Sequence, residues 1–140
     1  MRVLLDTNII LDTLLEREPF FRDAKALLKT IENKQVQGYV TATTLTDIFY
    51  IARKAKGIQI ARQDILDLLA IVQVCTVGRS ILETAISSSL SDFEDAVQLA
   101  CATIGSLDAI VTRDYEDFAG ASLPILSVAE LLERLKETGE

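Results

Sequence analysis

Short apolar runs alternate with amphipathic stretches along the whole chain. "RVLLD" (2–6) predicts a short strand, because its aliphatic residues are consecutive and end on a carboxylate. After Pro19, "FFRDAKALLKTIENK" carries apolar residues at helical spacing, with the proline near the first turn, where its missing N–H does no harm. "GYVTA" (38–42) predicts a second strand. "TTLTDIFYIARKAKG" (43–57) predicts a helix: its threonines can cap, Leu45, Ile48, Phe49 and Ala52 share a face, and Gly57 stops it. "ARQDILDLLAIV" is another helix and "QVCTV" (73–77) a third strand. "RSILETAISSSL" reads as a short helix. "SDFEDAVQLACATIG" (91–105) is a clearer one, with Ser91 and Glu94 spaced as a capping box and Gly105 as the stop. A fourth strand, "AIVT" (109–112), a helical turn in "DYEDFAG", a fifth strand in "PILSV" and a final helix with its own box at Ser127 and Glu130 complete the chain. This alternation predicts an α/β fold, a three-layer sandwich with a parallel, five-stranded sheet. With no repeat or linker to divide it, residues 1–135 are expected to form a single domain and 136–140 a frayed tail.

Composition narrows the chemistry. The 140 residues are 49% hydrophobic and 25% charged, as expected of a packed globule. Asp6 and Asp12 interrupt the N-terminal apolar run, so no segment reaches the roughly 18 residues of a membrane span, nor does the start read as a signal peptide. A cytoplasmic protein with no membrane partner is the expectation. Cys75 and Cys101 lie among aliphatic residues and read as buried, reduced thiols. The absence of histidine excludes serine triads, Cys–His pairs and HExxH zinc sites. A net charge of −7 argues against nonspecific nucleic-acid binding through the global field. A nucleic-acid partner would need cations bound at the acids, or a local basic patch. Arg53, Lys54, Lys56 and Arg62, with Arg113 further on, are the residues for such a patch, although a charge run is more commonly a solvated face.

The acids are placed more tellingly than they are numbered. Ligands of an open parallel sheet bind at the carboxyl ends of its strands. Asp6 closes the first strand, and Asp114 follows the fourth by two residues. Asp47 and Asp95 lie about one turn inside helices that should begin at the same pole, where helix dipoles favour carboxylates. Two like charges about 4 Å apart repel by roughly 4 kcal/mol at an effective dielectric of about 20. Divalent cations reverse that repulsion, and oxygen-only donors suit Mg²⁺ or Mn²⁺. Blander roles exist: Asp92 at the first helical position, Asp12 capping a following short helix, Asp117 solvating an exposed turn, Glu94 in its capping box. Asn8 and Thr7 can bond local backbone. Asp108 precedes the fourth strand and belongs at the opposite pole.

"LLDTNIILD", "TATTLTDIFYIARK", "DFEDAVQLACA" and "DAIVTRDYEDF", in this order and spacing, resemble the PIN domain, with bacterial VapC-type toxins the nearest pattern. The resemblance runs from Arg2 to about Leu132. It implies a Mg²⁺- or Mn²⁺-dependent endoribonuclease whose acidic quartet is Asp6, Asp47, Asp95 and Asp114. Asp6, Asp95 and Asp114 are then the metal ligands, with Asn8, Thr112, Asp92 and Asp117 in support. The family commonly has Glu at the position of Asp47, whose shorter arm makes direct metal contact the doubtful member. The implied partners are an RNA substrate, an antitoxin protein and a second copy in a homodimer.

Other classes fit less well. A response-regulator receiver needs an aspartate after the third strand and a lysine after the fifth, and "QVCTVGRS" and "PILSVAE" supply neither. A phosphatase opening with D-x-D fails at Asn8. The remaining rival is a catalytically silent PIN module serving as a scaffold or partner-binding domain.

Overall fold

The computed structural model describes residues 1–138. In chain order it contains β1 (Arg2–Leu5), α1 (Thr7–Leu14), α2 (Phe21–Glu32), β2 (Gln37–Thr41), α3 (Ala42–Lys56) and α4 (Ile58–Ile71). There follow β3 (Gln73–Cys75), α5 (Arg79–Ile86), α6 (Phe93–Ile104), β4 (Ala109–Val111), a 3₁₀ turn over Tyr115–Phe118, β5 (Ile125–Leu126) and α7 (Val128–Glu137). The five strands form one sheet in the order β3-β2-β1-β4-β5, every pairing parallel. The expected α/β architecture is therefore present.

Successive side chains of a strand point to opposite faces, and here both faces are covered. Val3, Leu5, Ala109 and Val111 pack with Ile10, Leu27, Ile48 and Leu131 on one side of the sheet. Leu4 and Ile110 face the other way, against Ala102 of α6 and Phe118 of the 3₁₀ turn. All six strand residues have 0% exposure, which is why "VLL" and "AIV" are unbroken apolar runs. The chain lays down β1, β2 and β3 outward in one direction, then returns to place β4 on the free side of β1. Strand order reverses between β1 and β4, so a crevice opens at their carboxyl ends.

Several local details differ from the sequence reading. The run after Asp6 is a helix of its own: Asp6 keeps extended backbone (φ −63, ψ 147) and α1 begins at the next residue. Asp12 does not cap a following helix but lies inside α1 at 0% exposure. Helix α6 is capped not by Ser91 but by Asp92, whose carboxylate accepts the Asp95 N–H at 3.0 Å, so the expected box with Glu94 does not form. The box at Ser127 and Glu130 does. Gly57 joins α3 to α4 at φ 92, in the region where a Cβ would be strained. Cys101 is buried, whereas Cys75, on the edge strand, is only partly so. Lys136 and Glu137, expected in a tail, close α7, while Gly139 and Glu140 of that tail lie outside the described residues. Asp108 sits at the far pole, accepting the Arg2 N–H at 2.7 Å. Among the described residues no helix is long and apolar enough to cross a membrane.

Candidate functional site

At the junction of β1 and α1 the Asp6 carboxylate is 5% exposed. Burying it unaided would be costly, and two neutral donors compensate. Gln98 Nε2 donates to Oδ1 at 3.1 Å and Thr112 Oγ1 donates to Oδ2 at 2.7 Å. Desolvation still raises the Asp6 pKa above its ordinary value, the bonds from Thr112 and Gln98 pull it back, and nearby Asp114 pushes it up again. Thr112 serves twice: its oxygen also accepts the Asp114 N–H at 3.0 Å, which ties the end of β4 to the end of β1. Asn8 Nδ2 lies 3.4 Å from Asp114 Oδ2 as donor, and its own Oδ1 accepts from Arg17 at 3.3 Å.

Helices α3 and α6 bring further acids. Asp6, Asp47, Asp92, Glu94, Asp95 and Asp117 line one cleft of about 450 Å³, with Thr7, Asn8 and Tyr50 also at its walls. Asp114 lies outside that lining, beside Asp6 and Asn8. Glu94 reaches into the cleft beside Asp47; burial raises its pKa, the bond from Thr7 pulls it back, and the adjacent Asp47 and Asp6 push it up again. Asp95 is pushed up to about 7, first by burial and then by the charges of Asp92, Asp6, Asp117 and Glu94. Among the described residues no lysine or arginine forms a salt bridge with any acid of this cleft. No cation among the described residues offsets their repulsion.

Hydroxyl groups buttress the cleft from behind. Thr7 donates to Glu94 Oε1 at 3.0 Å, so its oxygen must accept from Thr44 across their 2.9 Å contact. Thr44 in turn accepts from Thr41 at 3.0 Å, and Thr41 from Thr43 at 2.9 Å. The chain of O–H groups therefore runs in one direction, from the start of α3 to the Glu94 carboxylate, and each bond polarises the next.

The basic residues separate into two groups. Arg113 does not face the cleft. It pairs with buried Asp12 (Nε to Oδ2, 2.9 Å) and stacks on Phe20 at 4.1 Å, while Arg17 approaches the same aspartate at 3.9 Å. Lys56 is bound to Asp64 at 2.7 Å and to the Leu14 carbonyl at 3.0 Å. Arg53, Lys54 and Arg62 are exposed.

Two participants were not anticipated as part of the site. By its spacing Glu94 reads as the partner of Ser91 in a capping box. Gln98 carried only a faint signal, a polar side chain three residues beyond Asp95 among apolar neighbours, and it is 0% exposed. Its Oε1 has no hydrogen-bond partner, an orphaned buried acceptor beside Asp6. The donors are hard oxygens throughout, and that chemistry fits Mg²⁺ or Mn²⁺. Among the described residues, no three of these acids already stand as a closed metal cluster.

Comparison with known proteins agrees with this architecture. Residues 2–116 match the family model described as PIN domain. A toxin–antitoxin complex from Klebsiella pneumoniae contains a chain 25% identical, with a TM-score of 0.69, covering 90% of this chain and 97% of that one. The Mycobacterium tuberculosis VapC20 toxin, described as cleaving the sarcin–ricin loop, is 15% identical at a TM-score of 0.68, covering 85% and 95%. DNA-bound VapBC from Salmonella typhimurium is 14% identical at a TM-score of 0.68, covering 91% and 98%. No curated protein sequence matches the chain.

Proposed function

We propose that this chain, which belongs to the PIN domain family, is an endoribonuclease dependent on Mg²⁺ or Mn²⁺ and hydrolyses RNA phosphodiester bonds at the cleft between β1 and β4. The observation that carries this reading is the cleft itself: acids from separate elements meet at the strand-order reversal with no cation paired to them among the described residues. Asp6, Asp95 and Asp114 would hold the ion. When bound, it supplies Lewis acidity that lowers the pKa of water and offsets charge at the scissile phosphate. The protein's part is positioning. Gln98 and Thr112 fix the Asp6 carboxylate, and Asn8 steadies Asp114. Asp47 stands against Glu94, so the longer arm from α6 meets the shorter one from α3. Asp95, pushed up to about 7, is poised to hold or release a proton near neutrality. Asp92 and Asp117 add to the field, and with no histidine in the chain these carboxyls are the groups available to move protons.

The similar solved structures include toxin–antitoxin complexes, the first of them 25% identical to this chain, and a protein antitoxin is proposed here as the partner. The test is incubation of labelled RNA with the purified protein in Mn²⁺ or in EDTA, beside Asp6→Asn. Cleavage is expected in Mn²⁺, absent in EDTA and lowered by more than about 100-fold in the variant, beyond the usual effect of losing an outer-sphere partner. Cleavage that persists in EDTA or in Asp6→Asn would overturn the mechanism.

A further inference from the structure

The chain has two cysteines, and the fold brings them together from separate elements. Cys101 lies toward the end of α6 at 3% exposure, and Cys75 ends β3 and packs against the cluster that holds it. A buried cysteine is ordinarily a small apolar side chain, and Cys101 taken alone needs no other account. Cys75 differs. It stands on the outermost strand, which has three residues and a ladder on one side only, through Tyr39–Gln73, Val40–Val74 and Thr41–Cys75. Gln73 and Val74 are exposed, and Cys75 is only partly buried. So short an edge opens locally at little cost, and opening it bares the Cys75 sulfur.

A cation shares that face of the sheet. Tyr39 and Cys75 point to the same side, because Gln73, the register partner of Tyr39, comes two residues before Cys75. The Arg2 guanidinium lies over the Tyr39 ring, 5.1 Å from its centre. The Cys75 thiol is held below its ordinary pKa, first by the adjoining Cys101 thiol and then by Arg2, which together outweigh burial. Cys101 is pushed above its own value by Cys75 and by burial. Of the pair, Cys75 is therefore the thiol that ionises first, and the thiolate is the reactive form.

We propose that Cys75 and Cys101 are a reversible disulfide site, oxidised by small-molecule disulfides, that clamps the edge strand β3 to helix α6. The Cys75 thiolate attacks one sulfur of the small disulfide, forms a mixed disulfide and expels a first thiolate. The Cys101 thiol gives its proton to that thiolate and attacks the Cys75 sulfur. This expels the second thiolate, which takes up the proton Cys75 had released. The two protein thiols are thus oxidised by two electrons, and the small disulfide is reduced to two thiols. Gln98 and Asp95 precede Cys101 on α6 by three and six residues, so the bond fixes the helix that braces the cleft, whatever chemistry the cleft performs.

The purified full-length chain, reduced and then incubated with oxidised glutathione, is alkylated with N-ethylmaleimide and weighed intact, and its peptides are mapped without reductant. The wild type should lose both free thiols, carry no glutathione and yield a cross-linked peptide pair joining Cys75 to Cys101. Dithiothreitol should restore both thiols. Cys101→Ala removes the resolving thiol and should trap glutathione on Cys75, while Cys75→Ser should leave Cys101 unmodified, since its sulfur is buried. The bridge closes the loop that contains α5, so the oxidised wild type should melt roughly 5–10 °C above the reduced protein. Two free thiols in the treated wild type, a glutathione adduct that never resolves, a bridge between two chains, or a melting temperature no higher after oxidation would each overturn the clamp. The mass map of the wild type decides the matter even if a variant fails to fold.

Discussion

Asp95 shows how one side chain records the strain of the whole cleft. A free aspartate titrates near 3.8, and in the folded protein Asp95 is pushed up to about 7. Below about pH 4 it is protonated whether the chain is folded or not. Between there and about 7 the folded state keeps a proton that the unfolded state has released. Its contribution to stability is therefore fullest below pH 4 and is lost as pH rises through 7. The full shift would correspond to about 4 kcal/mol, and partial exposure of the group reduces that to roughly 1–2 kcal/mol after solvent screening. Asp95→Asn should accordingly stabilise the metal-free protein by roughly 1–2 kcal/mol at pH 8 and by nearly nothing at pH 4, while weakening Mn²⁺ binding. Urea unfolding at the two pH values, in EDTA, checks this. Destabilisation at pH 8 would mean that Asp95 holds structure together.

At the scale of elements, the sequence was most readable where a pattern had one meaning. The central strands are apolar throughout because both faces are covered, and the Ser127 box caps its helix as spaced. It was least readable where two meanings shared one pattern. The run "NIIL" suits a strand or a buried helix equally, so its pattern does not single out α1. Ser91 and Asp92 are adjacent caps, and choosing the wrong one moves Glu94 from the cleft into a box. Which acids meet depends on strand order, which no single segment contains. Arg113 illustrates the same limit: beside Asp114 it looks available to RNA, yet it is the partner of Asp12 in α1. Removing one member of a buried pair leaves the other uncompensated. Arg113→Ala should destabilise the protein by about 3 kcal/mol, with Arg17 at 3.9 Å only partly compensating, and chemical denaturation measures it. A loss below about 0.5 kcal/mol would place Arg113 among ordinary surface cations and reopen a role in RNA contact.

For the molecule as a whole, the topology that makes the cleft also makes it self-repelling, so the proposed cation binding would be linked to folding. The segments that bear Asp6, Asp47, Asp95 and Asp114 join at one pole, and the described residues supply them no salt-bridge partner. A ligand that binds only the folded chain stabilises it by about 2.7 kcal/mol at 100 times its dissociation constant. Mn²⁺ should therefore raise the melting temperature progressively, and Ca²⁺-free buffer with EDTA should reverse it. Gln98→Leu separates positioning from charge. It removes the unpartnered Oε1 but also the donor to Asp6 Oδ1, so the metal-free fold should lose about 1–3 kcal/mol. The Mn²⁺ concentration giving the same thermal shift should rise about 10-fold, the usual scale for losing a group that orients a ligand. Thr112→Val, which removes the donor to the other Asp6 oxygen, should act in the same direction. Asp6→Asn should abolish most of the shift. A Mn²⁺ response identical in the wild type, Gln98→Leu and Asp6→Asn would place the bound ion elsewhere on this acidic surface.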